Sequence, residues 1–236
     1  MKSTKTQKTY LVLQNRILDA VYAPGSQLRI DLIATDLGVS TGAVREALSR
    51  LSSDGLVVNP PQKGYEVTPV SRQDLMNLTD TRVDVEAKCL ELSLAHGDVA
   101  WEGQVLSCYH IMSRTPIKDE RTAIAEDWTC AHDAFHDSLV AACPNPWWLK
   151  LRRLLYIQAE RYRRMVAPYA EQARDIDSEH RALMKAVLKR DVAEAQQLFA
   201  NHIQLTAELL VKANLFDASE EKDVRESRGN ARADAS

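Results

Sequence analysis

Four of the six histidines in this 236-residue chain fall into a pattern that can hold a metal. His132 and His136, in the run HDAFH, stand four residues apart and so share one helical face. His180 follows Ser178-Glu179 near the start of a helical stretch ending at Arg190, and His202 lies in the next stretch. Asp191-Val192-Ala193-Glu194 between them reads as a capping box. His180 is ten residues before Arg190 and His202 twelve after it. At about 1.5 Å rise per residue both lie roughly 15–18 Å from the same turn, so an antiparallel hairpin brings them to similar height. Two histidines from one helix and one from each of two others form a donor set for a divalent transition metal; imidazole nitrogens suit Zn, Ni, Cu or Fe. The plainer alternative is a set of exposed or hydrogen-bonded helix histidines.

A second chemistry lies near the N-terminus. Ser40 is an N-cap for a helix reaching about Ser53, whose first turn carries Thr41 and Gly42, with Arg45 near the same exposed end. Small residues let a helix N-terminus approach a nucleic acid closely, where its amides favour phosphate. Arg45 can fork onto guanine O6 and N7 or clamp a phosphate. Lys63-Gly64, at the tip of a hairpin, offers a cation on a backbone able to enter a minor groove. An ordinary helical hairpin, with Arg45 paired to Glu46, is the competing reading. Arg161 and Arg163 stand on a helical stretch where their planar forks suit a carboxylate, against the alternative of a solvated basic face.

The elements that must position these groups follow from periodicity. A helix is expected from Tyr10 to Val21, after a flexible arm over residues 1–9. Ala23-Pro24-Gly25-Ser26 is a turn, and Gln27–Arg29 a short strand. A second helix runs from Ile30 to Leu37 and stops at Gly38. The third follows from Ser40, and Leu56-Val57-Val58 with Tyr65-Glu66-Val67 make a hairpin around Asn59–Gly64. Helix, strand, helix, helix, hairpin is a winged helix-turn-helix over residues 10–70. Beyond the junction at Pro69–Ser71 the sequence is helical, with breaks near Gly97-Asp98, Thr115-Pro116, Cys143–Pro146, Ala167-Pro168 and Arg190-Asp191. Six or seven helices packed as a bundle are expected over residues 71–216, then a charged, disordered tail over 217–236. The fold class is thus mainly α.

Eight glycines and eight prolines in 236 residues argue against an all-β chain. No apolar run approaches a membrane span, and the first ten residues carry lysines without an apolar core, so a cytoplasmic protein is expected. Cys89, Cys108, Cys130 and Cys143 show no CxxC spacing and read as reduced, mostly buried thiols; Cys143 and Trp147-Trp148 read as packing. The net charge is −3, but eight Lys and Arg face six acids through residue 70, which leaves twenty-two bases against twenty-seven acids beyond it. A basic head on an acidic body permits DNA binding by the head.

The run APGSQLRIDLIATDLGVSTGAVREALSRLSSDGLVVNPPQKGYEV resembles the winged helix of GntR-type regulators. The resemblance implies that Arg45 contacts a base or phosphate of double-stranded operator DNA. It departs from the usual pattern at Thr41 and Ala43, where Arg and Pro are common. Arg82-Val83-Asp84-Val85-Glu86, Phe135-His136 and EHRALMKAVLKRDVAEAQQLFANH resemble the FCD effector domain of the FadR branch of that family. That likeness implies a helical bundle holding a metal, with His136, His180 and His202 as ligands. The usual first ligand is an Asp where this chain has His132, with Asp133 one residue off. It also implies that Arg82 faces the cavity. QKGYEV, HDAFH with its leading histidine, Cys143 and RYR at Arg161–Arg163 are similar to the CsiR-like repressors, a group associated with glutarate and related dicarboxylates. The implied protein is a homodimeric repressor released by a small organic acid. Zn is the metal expected first. A helical metalloenzyme using the histidines for hydrolysis or oxidation is the rival, although HExxH, GxSxG and a P-loop are absent. A metal-stapled structural bundle is a third reading.

Overall fold

The computed structural model describes residues 5–117, 125–166 and 175–212. They form two compact units: residues 5–75 with Ile157–Met165, and Met76–Tyr156 with Val166 and residues 175–212. The sequence reading put the junction at Pro69–Ser71 and assigned residues 157–165 to the bundle. By packing, the first unit runs on to Leu75, and the segment Ile157–Met165 groups with it.

In the first unit, α1 (Lys5–Leu18) buries Thr9, Tyr10, Leu13, Ile17 and Leu18 on one face. That face packs on α3 (Thr41–Ser53), which buries Val44, Ala47, Leu48 and Leu51. The flexible arm expected over residues 1–9 is therefore corrected: residues 5–9 are helical, and residues 1–4 lie outside the described residues. Contacts beyond the helix hold this turn, Thr6 donating to Glu46 at 3.3 Å and Arg50 to Gln7 at 2.7 Å.

Between them, α2 (Ile30–Leu37) ends on Gly38 at φ 62°, a left-handed turn that glycine adopts without strain. Ser40 caps α3, its hydroxyl accepting from the Ala43 amide at 3.3 Å. β1 (Val57–Val58) and β2 (Glu66–Val67) pair antiparallel, with Val57 opposite Val67. The strand expected at Gln27–Arg29 reduces to a single bridge from Gln27 to Glu66. Leu28, buried and bonded through its amide to the Tyr65 carbonyl at 2.7 Å, pins the chain there. Arg29 is already the N-cap of α2, so the backbone turns away before a ladder can extend.

Six helices follow among the described residues: α4 (Arg72–His96), α5 (Val99–Arg114), α6 (Glu126–Leu139), α7 (Pro146–Val166), α8 (Ile176–Leu188) and α9 (Val192–Lys212). The starts of α5, α8 and α9 use side-chain caps: Asp98 accepts from the Trp101 amide at 2.8 Å, Asp175 from the Ser178 amide at 3.0 Å and Asp191 from the Glu194 amide at 3.0 Å. The second core gathers Leu90, Val105, Phe135, Leu139, Leu183, Val187 and Phe199. Arg190 locks the α8–α9 turn, donating to the Leu94 carbonyl at 2.6 Å, the Gly97 carbonyl at 2.8 Å and Glu102 at 2.6 Å. A Cβ at Gly97 would meet the Trp101 ring at 2.1 Å, so this corner requires glycine. The tail expected over residues 217–236 lies outside the described residues. Among those described, no helix is long and apolar enough to cross a membrane.

Candidate functional site

Two places gather chemistry, one in each unit. In the first, Thr41, Gly42 and Arg45 are exposed at the start of α3, which Ser40 caps. A cleft of about 470 Å³ joins Thr41 and Arg45 to Lys63 and Gly64 of the hairpin loop, and adds Arg29 and Asn59. Glu46 accepts from Thr6, and no ion pair engages Arg45 among the described residues. Arg29 was not singled out by sequence reasoning. Its only signal is its place as the residue before α2. It faces Asp31 at 3.7 Å with both side chains more than 60% exposed, a pair too solvated to hold it. Three cations thus line one cleft beside a helix N-terminus, an arrangement whose chemistry suits phosphate and base edges.

In the second unit, α6 carries His132 and His136 four residues apart, α8 carries His180, and α9 carries His202. The apolar faces of these helices bury the rings: His136 and His180 are each 1% exposed and His202 only 9%. His136 Nε2 lies 3.1 Å from His132 Nε2 and 3.2 Å from His180 Nε2. The ring centroids of His180 and His202 are 4.7 Å apart, so the two hairpin helices do bring them level. One candidate ligand atom from each of the four lies within 4.8 Å of every other. Trp128 stacks on His132 and Phe199 on His136, which walls the cluster with aromatic surface.

This set fits a divalent cation. Two nitrogens bound to one Zn at about 2.05 Å in a tetrahedron stand roughly 3.3 Å apart. The two spacings from His136 Nε2 are close to that value. His136 Nδ1 is buried without a hydrogen-bond partner. Burial, then the charges of His132, His202, His180 and Arg82, hold the His136 pKa well below its ordinary value, so the ring is neutral with a lone pair to offer. Asp133, the other candidate first ligand, is outside this set: it accepts from the Tyr156 hydroxyl and stands 3.6 Å from His132 Nδ1. Glu179 Oε2 lies 3.0 Å from His202 Nδ1.

The arginines divide. Arg82 lies close enough for its charge to act on His136, and its hold on Glu86 is long, 3.4 Å from Nε to Oε1. Arg161 and Arg163, expected as further carboxylate clamps, have partners of their own. Both lie in the segment that groups with the first unit. Arg161, 1% exposed, donates to the Thr68 carbonyl at 3.0 Å and faces Asp74 at 3.8 Å. Arg163 donates to Glu160 at 2.9 Å; burial raises the Glu160 pKa, and Arg163 with Arg164 more than reverses it.

Sequence reasoning also missed Arg152. It is buried and donates to Glu86 at 2.7 Å, Asp137 at 2.6 Å and the His136 carbonyl at 3.1 Å, tying α4 and α7 to the histidine helix. A signal existed: Trp148, Arg152 and Tyr156 recur at four-residue spacing on the inner stripe of α7, and an arginine on such a stripe implies a buried pair. The cysteines are free; Cys89 and Cys143 are buried, but Cys130 is exposed, contrary to the mostly buried set expected. Burial, with Cys143 and Glu86 adding to it, pushes the Cys89 thiol up to about 12, which keeps it protonated and unreactive.

Residues 5–67 match the gntR family of bacterial regulatory proteins, and residues 77–205 match the FCD domain. The chain is 37% identical over 203 residues to the HTH-type transcriptional regulator BphR of Paraburkholderia xenovorans, covering 84% of this chain and 82% of that one. It is 34% identical over 198 residues to the HTH-type transcriptional repressor GlaR of Escherichia coli, covering 82% and 90%. The fold resembles E. coli McbR/YncC, with a TM-score of 0.74 at 17% identity over 89% of this chain and 99% of that one. It also resembles a GntR transcriptional regulator of Rhodococcus sp. RHA1, with a TM-score of 0.67 at 21% identity over 89% and 98%. These relatives are regulators, and the metalloenzyme alternative is set aside with them. The chain belongs to the GntR family of bacterial regulatory proteins, as a ligand-responsive, DNA-binding transcriptional regulator with a C-terminal FCD domain.

Proposed function

We propose that this regulator is a cytoplasmic homodimeric repressor that leaves its operator when a small organic acid binds beside a divalent metal in the helical domain. The cluster of four buried histidines carries the reading. Ring nitrogens 3.1 and 3.2 Å apart cannot all be donors, and neutral imidazoles packed this way repel through their lone pairs unless a cation or protons lie among them. His132, His136, His180 and His202 would hold the metal, Zn first and Ni next. A carboxylate oxygen would add to these four nitrogens as a further ligand, expanding the coordination beyond four. Arg82 is the counter-charge for that carboxylate. It is free to act because Glu86 is held more tightly by Arg152, at 2.7 Å, than by Arg82, at 3.4 Å. A dicarboxylate such as glutarate is the first ligand to try, on the likeness to the CsiR-like group.

On the DNA side, Ser40, Thr41 and Gly42 would bring the start of α3 against the duplex, Arg45 would read a base or clamp a phosphate, and Lys63-Gly64 would enter the neighbouring groove. Arg29 joins them as a phosphate contact. Two copies of this surface suit a near-palindromic operator. Effector control then requires only that the acid bind the DNA-incompetent arrangement more tightly than the competent one.

The test is a gel shift on the protein's own promoter region with mono- and dicarboxylates, paired with elemental analysis. Wild type is expected to be retained in a salt-sensitive way, released by one acid class, and to carry about one metal per chain. Replacing His136, His180 and His202 together with Ala is expected to remove the metal and the response to the acid. Full metal content in that variant overturns the site. Absence of any salt-sensitive retention by wild type overturns the operator assignment.

A further inference from the structure

Three of the four clustered histidines are held by packing, and one is held differently. His136 and His180 are 1% exposed, and His132, 6% exposed, lies under the Trp128 ring at 4.8 Å between centroids. Phe199 lies over His136 at 5.4 Å. His202 is the most exposed of the four, at 9%, and Phe199, outside the cluster, lies 6.4 Å from its ring, tilted rather than stacked. What fixes its ring is polar: Glu179, on α8 beside His180, reaches across the hairpin to place Oε2 3.0 Å from His202 Nδ1.

We infer that Glu179 is a positioning residue of the proposed metal site, accepting the Nδ1 proton of His202 so that Nε2 is left as the nitrogen available to the cation. The inference rests on the metal reading above and adds to it the residue that sets one ligand's tautomer. A neutral imidazole carries a single N–H, and the nitrogen that donates it cannot ligate. An acceptor fixed at Nδ1 therefore selects the tautomer with its lone pair on Nε2, and it raises the basicity of that lone pair. A carboxylate is the strongest acceptor available for this purpose.

Charge gives an independent reason. The four clustered donors are imidazoles, which are neutral ligands, so a divalent ion among them would carry its full charge into a buried site. Glu179 and Asp133 stand just outside the ring, at 3.0 Å from His202 Nδ1 and 3.6 Å from His132 Nδ1. Two carboxylates there match two positive charges without taking a ligand position. Glu179 is the stronger contributor, since its contact is a hydrogen bond, whereas Asp133 receives the Tyr156 hydroxyl.

The experiment uses the full-length protein stripped with a chelator, then titrated with Zn²⁺ in competition with a chromogenic chelator. Wild type, Glu179→Ala, Glu179→Gln, His202→Ala and the Glu179→Ala/His202→Ala pair are compared, each also melted without metal. Glu179→Ala is expected to weaken Zn²⁺ about 10–100-fold, the usual range for such outer groups. Glu179→Gln, whose amide oxygen still accepts, is expected to recover part of that loss. In the His202→Ala background, removing Glu179 is expected to weaken Zn²⁺ far less than in wild type, because its effect passes through that ring. Equal Zn²⁺ affinity for wild type and Glu179→Ala, with only the metal-free melting temperature lowered, overturns the inference and makes the contact structural. Failure of wild type itself to bind Zn²⁺ or Ni²⁺ overturns the metal reading beneath it.

Discussion

The two functional surfaces of this chain solve opposite problems. In the first unit the working groups are outside: Arg29, Arg45 and Lys63 stand in water around an open cleft, and the buried polar side chains of that unit, Thr9, Glu160 and Arg161 among them, do not line it. In the second unit they are inside, with four imidazoles and the Glu86–Arg152 pair buried in the bundle. Exposed cations add little to stability and are available to a partner. Buried polar groups must be satisfied by neighbours, so their replacement disturbs the fold as well as the function. The head can therefore change its reading residues without refolding, whereas the helical unit cannot change a ligand without repacking around it.

The sharpest break of this contrast is Arg152→Ala. It would leave Glu86, 1% exposed, without its main partner and free the His136 carbonyl. A loss of about 3–5 kcal/mol is expected, read as a lowered melting temperature of the metal-free protein. A shift no larger than that of an exposed arginine such as Arg153→Ala would show that the bundle tolerates the buried charge. Arg45→Ala should do the reverse: an unchanged melting temperature with operator affinity lowered by about 1–3 kcal/mol, roughly 5–150-fold. Arg29→Ala should lower it less, equally on all sequences, while reducing the salt slope by about one ion. Equal retention by wild type and Arg45→Ala removes that residue from the interface.

The mildest test is pH. His136 is held below its ordinary value of 6.5, so in metal-free protein the folded ring stays neutral where the unfolded ring takes a proton. The unfolded state then binds more protons, and stability present above about pH 6.5 is lost as pH falls from there toward the lower folded value. The first unit has no histidine through residue 75 or in Ile157–Met165, so this acid sensitivity belongs to the second unit. Hydrogen exchange at pH 7 and 5.5 is expected to show the helices of the bundle loosening ahead of α1 to α3. Uniform loosening would remove the contrast.

Much of this was legible along the chain. HDAFH set two imidazoles on one face, and equal distances from Arg190 set two more at one height, because helical rise and period are nearly invariant. Gly38 and Ser40 announced the join between α2 and α3 through local backbone and capping chemistry. What was illegible was long-range. Nothing local reveals that the Thr68 carbonyl, 93 positions away, accepts from Arg161, whereas Glu160, three residues before Arg163, is a partner that helical spacing records. Residues 5–9 looked like an arm because their helix is supported by Glu46 and Arg50, some forty positions away.

The amino-acid sequence alone determined the periodic faces, the caps, the family and the four histidines, all of which depend on spacing within one helix or one hairpin. Tertiary structure decided which charges remain for ligands: Arg29 and Arg45 open to solvent, Arg152 and Arg161 occupied, Glu179 set against His202. A side chain's availability depends on which acceptors the fold brings within about 3 Å of it. That proximity is created between helices distant in sequence, where no local pattern can record it.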